Sequence, residues 1–351
     1  MLWGTMSSDF AGKPMQRSFL GRQIDKPEFG PFVLLILMII TFTAINPDFI
    51  SLANIGNLLA FTVELGMIAL AMTLLMTAGE FDLSVGSVFG FAGVIMWTLF
   101  NTEIMPLPLA FLVALALCLL IGFISGIFVT RLSIPSFLVT LGMLLVVRGT
   151  SLWLTNGFPQ RAWRAEDQWI AEWLVGDFHI CATGIAQDPC GGLRIYMSVI
   201  WFILLALLCH YVLTRTRFGN WITASGGNAN AARTRGVKVD RVRVALFMFS
   251  ALMAGLAGII SSIRTSAANP NSGTGYELEV IAMVVIGGTA LTGGRGTIIG
   301  TILGIFILRL MRNGIVLIGV PGLAYNIFIG AIILGMMALH AWLERRHNAG
   351  T

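Results

Sequence analysis

The sequence predicts an all-α fold, a polytopic transmembrane helix bundle with about ten spans. Three observations predict this class. First, 56% of the 351 residues are hydrophobic and only 11% are charged, whereas a soluble domain carries about 25% charged residues. Second, the hydrophobic residues form blocks, several of which approach the roughly 20 residues that a helix needs to cross a bilayer. Third, the basic residues lie at the ends of these blocks, so the pI of about 9.3 indicates cytoplasmic membrane loops rather than nucleic-acid binding.

The apolar blocks set the order of the elements. The first five predicted spans cover residues 31–46, 53–77, 85–101, 108–130 and 136–154. A long polar stretch follows at 155–194, and its tryptophans favour a membrane interface, with part of it forming an amphipathic helix on the surface. The last five predicted spans cover residues 195–213, 244–264, 277–291, 297–311 and 322–342, with interruptions at Leu291–Thr297 and Arg312–Pro321.

The distribution of charge predicts the orientation of the chain. The loop at 214–243 is strongly basic and carries Arg215, Arg217, Arg233, Arg235, Lys238, Arg241 and Arg243 against Asp240. The stretch at 155–194 is rich in acids and falls on the opposite side of a ten-span bundle. We therefore expect a transmembrane domain at 31–343 in a bacterial inner membrane, with 155–194 periplasmic and 214–243 cytoplasmic. Both ends, at 1–30 and 344–351, are expected to be cytoplasmic, and residues 1–30 show no secretory signal.

The four cysteines are of two kinds. Cys118 and Cys209 lie inside apolar blocks and are expected to be unreactive core residues. Cys181 and Cys190 flank a short polar stretch, and an oxidising periplasm would allow them to pair. Two free thiols are the alternative, because spacing alone does not establish disulfide geometry.

The segment Thr77–Ser87 places two carboxylates between predicted spans. Acids near a membrane require water, a partner or a helix N-terminus. Asp82 or Ser84 could cap the third span by accepting bonds from its first N–H groups. A gate beside a transport pathway is the other interpretation, and the two are compatible because broken helices in transporters often lie beside the pathway.

The basic loop contains the segment Arg217–Val237. A Gly-Gly-Asn turn ends at Asn228, which can cap a short helix at 229–234. Gly236 can end that helix in the left-handed conformation. The prediction is a short helix on a cytoplasmic surface that a partner's groove could receive. An ordinary basic loop is the alternative.

The segment Val284–Thr297 holds glycine pairs, which break helices and allow close backbone approach. It does not match a phosphate-binding loop, because no Lys-Ser/Thr pair follows at the required spacing. No metal-binding or nucleophile motif is found in the sequence, so we predict no catalysis, metal site or ATP site in this chain. Ionisable residues within spans are functional candidates by default. Glu64 is the clearest, followed by Arg148, Glu277 and Glu279.

Together the three segments resemble the permease subunits of ribose-type ABC importers, a group related to the branched-chain amino acid permeases. The resemblance runs from about residue 31 to 342. It rests on GEFDLSVGS at 79–87, ASGGNANAARTRGV at 224–237 with SALMAGLAGII at 250–260, and VVIGGTALTGGRGTIIGTILG at 284–304. Glu80 departs from the apolar residue common in that group, and the insert around Cys181–Cys190 is atypical. The insert bears on which binding protein docks and which sugar is carried.

The resemblance implies a type II ABC importer-like permease that moves a monosaccharide or related polyol from periplasm to cytoplasm, paired with a second permease copy. ATP-binding cassette subunits would bind ATP and Mg²⁺, and a periplasmic sugar-binding protein would deliver substrate. The loop would be the coupling helix that docks on the ATPase, through Gly226, Gly227, Asn228, Ala231, Ala232, Arg233 and Gly236. Candidates for the pathway or gate are Glu64, Asp82, Ser84, Gly86, Gly287, Gly288 and Thr289.

Rival interpretations differ in driving force, chemistry or substrate. An ion-coupled secondary transporter would need buried acids in broken helices, and Glu64 is one candidate without a visible cluster around it. A membrane-embedded enzyme would need convergent polar residues at catalytic spacing, which the sequence lacks. A permease for branched-chain amino acids or nucleosides is a further alternative, although the scarcity of charge in the spans favours a neutral solute.

Overall fold

A computed structural model describes residues 28–161, 169–180, 193–321, 324–325, 327–331 and 334–335. These residues form a helical bundle, as predicted. The first half contains α1 (Phe29–Ile45), α2 (Leu52–Thr77), α3 (Val85–Asn101), α4 (Leu107–Arg131) and α5 (Ser136–Thr155). The second half contains α6 (Trp169–Val175), α7 (Met197–Arg215), α8 (Arg217–Gly227), α9 (Ala229–Thr234), α10 (Val239–Arg264), α11 (Tyr276–Ile286) and α12 (Ile298–Leu317).

Six of the described helices are long and apolar enough to cross a membrane: α2, α4, α5, α7, α10 and α12. Helices α1 and α3 are apolar but shorter, with 17 residues each. The bounds of the first five helices lie within two residues of the predicted spans. The predicted count of about ten spans is not confirmed, and the predicted tenth span at 322–342 is described only in part.

Two predicted boundaries near the end of the chain are wrong. The predicted eighth span at 277–291 is α11, which has only 11 residues because two glycines end it, and Gly288 has a φ of +90°. The predicted interruption at Arg312–Pro321 begins too early. Helix α12 continues to Leu317, and it ends where Gly319 takes a φ of +82°.

The basic loop at 214–243 is more helical than predicted. Helix α8 begins directly after Thr216, whose side chain accepts a hydrogen bond of 3.2 Å from the Gly219 N–H and so caps the helix. Helix α10 begins at Val239 instead of residue 244. The three helices α8, α9 and α10 therefore follow one another with short turns, and they bring the basic residues onto a helical surface.

The described parts of the polar stretch at 155–194 contain short strands and one helix. Strand β1 (Gln160–Arg161) pairs with β4 (Ala267–Ala268), and β2 (Asp177–Ile180) pairs with β3 (Leu193–Tyr196), both antiparallel. Helix α6 buries its aliphatic side chains on one face and exposes Trp169, Glu172 and Trp173 on the other, as expected for an amphipathic helix with tryptophans at a membrane interface. Cys181 and Cys190, with their predicted pairing, lie outside the described residues.

Helices α2 and α10 form the centre of the bundle, and nearly all side chains in the second half of α2 are buried. Small residues allow the close packing of helix backbones that lipid-embedded bundles require. A Cβ atom at Gly122 of α4 would lie 2.7 Å from the Met248 Cα of α10. Cys118 packs against Gly255 in the same interface and, like Cys209, is a buried free thiol, as predicted.

Candidate functional site

The predicted coupling segment folds as two helices joined by a tight turn at one end of the bundle. Asn228 separates α8 from α9 with a φ of −156°, and its side-chain oxygen accepts a hydrogen bond of 3.0 Å from the Ala231 N–H. Gly236 follows α9 with a φ of +85°, and its N–H donates to the Arg233 carbonyl oxygen at 3.0 Å. The predicted cap, short helix and left-handed glycine are therefore confirmed.

Helix α9 is anchored on one side and exposed on the other. The Ala232 side chain is buried, whereas Ala231, Arg233 and Gly227 are exposed. Arg233 forms an ion pair of 2.8 Å with Asp240, in the first turn of α10. The short helix is thereby tied to the long one, and its outer face remains open to a partner.

Glycines from all three predicted segments meet in one contact, the glycine junction, formed by Gly79, Gly226, Gly293 and Gly294. A Cβ atom at Gly226 would strike the Thr77 carbonyl oxygen and lie 2.6 Å from the Gly294 nitrogen. The Gly294 N–H donates to that same carbonyl oxygen at 2.9 Å. Three of these glycines have φ angles between +79° and +84°, so the junction requires glycine for its conformation as well as for space. The ends of α2 and α8 and the α11–α12 loop therefore touch through backbone atoms.

The loop at residues 78–84, named the gate loop after its predicted role, runs from the glycine junction to α3. Asp82 in this loop is fully buried. Its Oδ1 atom accepts hydrogen bonds from the Ser84 N–H at 2.9 Å and from the Ser84 hydroxyl at 2.6 Å. The Ser250 hydroxyl of α10 faces the same carboxyl group.

The predicted capping of α3 by Asp82 or Ser84 is wrong. Ser84 occupies the N-cap position, but its side chain accepts no hydrogen bond from the helix. The hydroxyl is used instead to hold Asp82 in place. The two predicted residues do lie together, as partners of each other.

Glu80, also in the gate loop, pairs with Arg243 of α10. Their N–O distance is 2.6 Å, and the two side chains are only 9% and 19% exposed. A polar cleft of about 330 Å³ lies between this pair, the Arg233–Asp240 pair and the turn before α5. The Glu80–Arg243 ion pair therefore links the gate loop to α10. The first turn of α10 is in turn linked to α9 by the Arg233–Asp240 pair.

The first turn of α3 packs against the segment that precedes α11. A Cβ atom at Gly86 would strike the Gly273 carbonyl oxygen and the Glu277 carboxylate. Arg148 of α5 donates to two carbonyl oxygens of the segment 270–272, each at 2.7 Å. The two carbonyl groups lie outside any helix, so they have no partner within a helix. Irregular backbone inside a membrane needs hydrogen-bond partners from elsewhere in the protein, and Arg148 supplies them here.

The remaining predicted pathway residues of the third segment lie at the α11–α12 turn. A Cβ atom at Gly287 would lie 2.5 Å from the Gly300 carbonyl carbon, so Gly287 permits close packing of the two helices. Gly288 takes a φ of +90°, and Thr289 is buried beside Gly296. The structure thus places these residues near the glycine junction rather than beside Glu64.

Glu64 lies near the middle of α2 and forms a buried ion pair. Its Oε1 atom accepts hydrogen bonds from Arg264 Nε at 2.9 Å and Nη2 at 2.5 Å. A second buried pair joins Glu279 to Arg309, with an N–O distance of 3.7 Å. Sequence reasoning missed both arginines. The signal that could have found Arg309 is the one that identified Glu64, an ionisable residue within an apolar run.

Within the described residues, no group of three or more His, Cys, Asp or Glu side chains comes together in a way that could hold a metal ion. Ion pairs hold the carboxylates of Glu64, Glu80 and Glu279. These pairs link the elements that carry the residues to one another.

Comparison with known proteins identifies a family. The family described as "Branched-chain amino acid transport system / permease component" matches residues 54–337. The probable ABC transporter permease protein YphD of Escherichia coli K12 is 35% identical over 332 residues, which cover 95% of this chain and 94% of that protein. The ribose import permease protein RbsC of the same strain is 34% identical over 308 residues, covering 88% and 91%. The xylose transport system permease protein XylH of that strain is 32% identical over 356 aligned positions, covering 89% of each chain. No solved structure matches the chain.

Proposed function

The chain belongs to the family of branched-chain amino acid transport system permease components, and on that premise we propose that it is the translocation subunit of an ATP-driven importer for a monosaccharide or related polyol. Its curated relatives include permeases named for ribose and xylose, and each alignment covers most of both chains. The named sugars are uncharged polyols. The buried carboxylates Glu64 and Glu279 are each paired with an arginine of this chain, which favours an uncharged substrate.

In this proposal the chain works with a second permease copy, ATP-binding cassette subunits and a periplasmic sugar-binding protein. ATP and Mg²⁺ are bound by the cassette subunits. The chain spans the inner membrane about ten times, with both termini and the basic loop cytoplasmic, because basic loops stay on the cytoplasmic side. The stretch at 155–194 is periplasmic, where it can face the binding protein.

The glycine junction is the observation that carries the mechanism. Helix α9 is the coupling helix, and a partner that moves it also moves the end of α8. Because Gly226 touches Thr77 and Gly294 through backbone atoms, α8 cannot shift without displacing the start of the gate loop or the α11–α12 loop. The Glu80–Arg243 ion pair fastens the same loop to α10. Nucleotide-driven movement of α9 is therefore passed to the gate loop directly through the contacts of the glycine junction.

Uptake of radiolabelled sugar tests the proposal. Cells that lack other pentose transporters express the chain together with an ATP-binding cassette subunit and a periplasmic sugar-binding protein from the same source, and accumulation of D-ribose and D-xylose is measured. We expect accumulation that persists when a protonophore collapses the membrane potential and stops when ATP is depleted. Uptake that follows the ion gradient, or transport by the purified chain alone, would refute ATP-driven import.

One observation argues against the ion-coupled alternative. A carboxylate that binds and releases a proton or sodium ion has to be available to that ion. Glu64, the candidate for this role, already accepts two hydrogen bonds from Arg264 and lies against a guanidinium. Its charge is balanced within the protein, so it is better suited to fixing the helices.

A further inference from the structure

We propose that the corner between α7 and α8, the basic corner, binds the head group of one anionic phospholipid in the leaflet on the α9 side of the membrane. The basic corner consists of Tyr211, Arg215, Arg217 and Trp221. Binding of the lipid rests on α7 crossing the membrane, whereas the effect of the lipid on coupling rests on the proposed function and deepens it.

One stripe of α7 changes its chemistry along the helix axis. Leu204, Leu208 and Tyr211 are 51%, 55% and 59% exposed. Arg215, which is also exposed, ends the helix. The spacings of four, three and four residues place all four side chains on the same face of an α-helix. The order aliphatic, aromatic, cationic is the order in which a phospholipid presents its acyl chain, its interface and its phosphate group.

The depth of these groups matches one leaflet. At 1.5 Å per residue, Tyr211 lies about 6 Å and Leu204 about 16 Å from Arg215 along the helix axis. The hydrocarbon core of a bilayer is about 30 Å thick, so one leaflet contributes about 15 Å. The 19-residue α7 is about 28 Å long. Arg215, at its end, therefore lies at the edge of the hydrocarbon, where the phosphate groups of lipids are found.

Helix α8 brings a second cation and a second aromatic ring to the same corner. Arg217 is exposed, and only Thr216 separates it from Arg215, so the two Cα atoms are at most about 7.6 Å apart. Trp221 is 43% exposed and lies one turn after Arg217 on the same face of α8. Tyrosine and tryptophan are enriched at membrane interfaces, so each helix presents an interfacial ring beside an arginine.

The two arginines lack an anion from the described part of the chain. Neither α7 nor α8 contains an acidic residue. Among the described residues, neither Arg215 nor Arg217 has an ion pair or a side-chain hydrogen bond. Guanidinium groups bind phosphate through paired hydrogen bonds. A phospholipid with a net negative charge should therefore bind better than a zwitterionic one, whose head group carries a cation of its own.

The same stripe distinguishes a lipid from a protein partner. In the proposed importer, a cassette subunit meets the chain from the cytoplasm, and it cannot reach Leu204 and Leu208 inside the hydrocarbon. A phospholipid can cover the whole stripe, because its acyl chains continue inward from its phosphate group. The observations therefore favour a lipid over an acidic surface of a partner protein.

Helix α8 connects the basic corner to the glycine junction. Gly226 lies nine residues after Arg217, about 13 Å along α8, and it touches Thr77 and Gly294 through backbone atoms. A lipid that holds Arg217 at the membrane surface restricts the end of α8 opposite to the junction. Movement of α9 then turns α8 about a fixed point, and more of this movement reaches the gate loop. We therefore expect anionic lipid to raise the amount of sugar moved per ATP hydrolysed.

Lipid retention by the purified full chain tests the binding. Delipidated chain in detergent is titrated with dioleoyl phosphatidylglycerol, or with dioleoyl phosphatidylcholine, which has the same acyl chains and no net charge. Native mass spectrometry counts the bound lipids. Because an arginine near a membrane surface contributes about 1 kcal/mol, we expect one phosphatidylglycerol to bind at least about tenfold more tightly than phosphatidylcholine. Arg215→Gln and Arg217→Gln should each weaken phosphatidylglycerol binding about fivefold, and the double variant about 25-fold.

Arg131→Gln is the matched control, because it removes the same charge elsewhere on the same side of the bundle. Arg131 is exposed and ends the membrane-spanning α4. A Cβ atom at Gly126 of α4 would lie 2.9 Å from the Val244 Cα near the start of α10, so this end of α4 is on the α9 side. The control should bind phosphatidylglycerol as the wild type does. A loss as large as that of Arg217→Gln, or equal binding of the two lipids by the wild type, would overturn the proposal.

Proteoliposomes then test the effect on coupling. The full transporter is reconstituted in phosphatidylcholine with and without phosphatidylglycerol. We expect phosphatidylglycerol to raise the sugar moved per ATP hydrolysed at least threefold for wild type and Arg131→Gln, and to have no effect on the double variant of Arg215 and Arg217. An equal rise in the double variant would refute the coupling role of the basic corner.

Two further outcomes separate this proposal from its alternatives. A double variant that no longer co-purifies with the cassette subunit in lipid-free detergent, while its lipid retention is unchanged, would assign the basic corner to a protein interface and overturn the lipid site. A wild-type transporter that moves neither D-ribose nor D-xylose in either membrane would contradict the proposed substrate class, and lipid retention by the chain would still decide whether the lipid site exists.

Discussion

Replacing Gly226 by alanine adds one methyl group at the centre of the glycine junction. The backbone of Gly226 is helical, so by helix propensity alone the substitution would stabilise α8 by about 1 kcal/mol. The new Cβ atom, however, would strike the Thr77 carbonyl oxygen and lie 2.6 Å from the Gly294 nitrogen and 3.0 Å from the Ala78 carbonyl carbon. All three neighbours are backbone atoms, which cannot rotate away as a side chain can.

The size of the effect follows from these contacts. Overpacking of this kind costs about 1–3 kcal/mol. Moving Gly294 away also lengthens its hydrogen bond to Thr77, which is 2.9 Å now and is worth about 0.5–1.5 kcal/mol. After the gain in helix propensity of about 1 kcal/mol, the substitution should destabilise the junction by about 0.5–3.5 kcal/mol.

Gly227→Ala provides the matched control, because it adds the same methyl group one residue later in α8. Its nearest neighbour would be the Gly294 Cα at 3.9 Å, an ordinary contact. In proteoliposomes that hold the full transporter, we expect Gly226→Ala to move at least fivefold less sugar per ATP hydrolysed than Gly227→Ala or wild type. Equal coupling ratios in the three proteins would refute the idea that the junction transmits movement of α9.

Three further predictions concern the turn at Gly227 and the gate loop. Gly227→Trp places a large side chain on the exposed turn next to α9, so it should abolish ATP-coupled uptake while membrane abundance stays normal; normal uptake would contradict the coupling assignment. Glu80→Arg leaves the cation of Arg243 facing another cation, so uptake and the thermal stability of the detergent-purified chain should both fall. The double variant with Arg243→Glu should recover both, and a double variant no better than either single one would show that the pair does not act as an ion pair. Asp82→Asn keeps an oxygen that can accept from the Ser84 N–H and removes a buried charge, so thermal stability should hold, whereas Asp82→Leu removes both acceptors and should cost about 1–3 kcal/mol; equal stability of the two variants would contradict the buried hydrogen-bond role.

The first five helices could be predicted to within two residues, because each is a long apolar run bounded by proline, asparagine or charge. The second half was harder for a physical reason. Helix α11 has too few residues to cross a bilayer, and its apolar run continues past its end into a glycine-rich loop. In α12 the predicted apolar span ends before the helix does. The polar residues Arg312 and Asn313 favour a loop by sequence, but they lie within the helix. Asn313 exchanges two hydrogen bonds with Asn54 of α2, at 2.8 and 2.9 Å, so a tertiary partner satisfies the polar side chain.

The local elements of the candidate site could be predicted from the sequence, but the contacts between these elements could not. The sequence pointed to the α9 helix, its asparagine cap and the glycine-rich segments, because turn and cap residues act locally. Pairing across the bundle depends on helix rotation, which composition does not determine. For that reason Glu80 could be recognised as unusual while its partner Arg243 could not, and Glu64 was identified without Arg264.

The positions of the glycines explain why this architecture suits the transmission of force. A contact between two long side chains can absorb a displacement of an ångström or more by rotation about side-chain bonds. The junction has no such bonds, because Gly79, Gly226, Gly293 and Gly294 come from distant parts of the chain and touch directly through backbone. Any movement of the α8 end must therefore be met by movement of the α2 end or of the α11–α12 loop, or the hydrogen bond between Thr77 and Gly294 must break. Glycine at these places gives rigid contact between backbones instead of contact between flexible side chains, and the proposed coupling of the gate loop to an ATP-binding subunit requires such rigid contact.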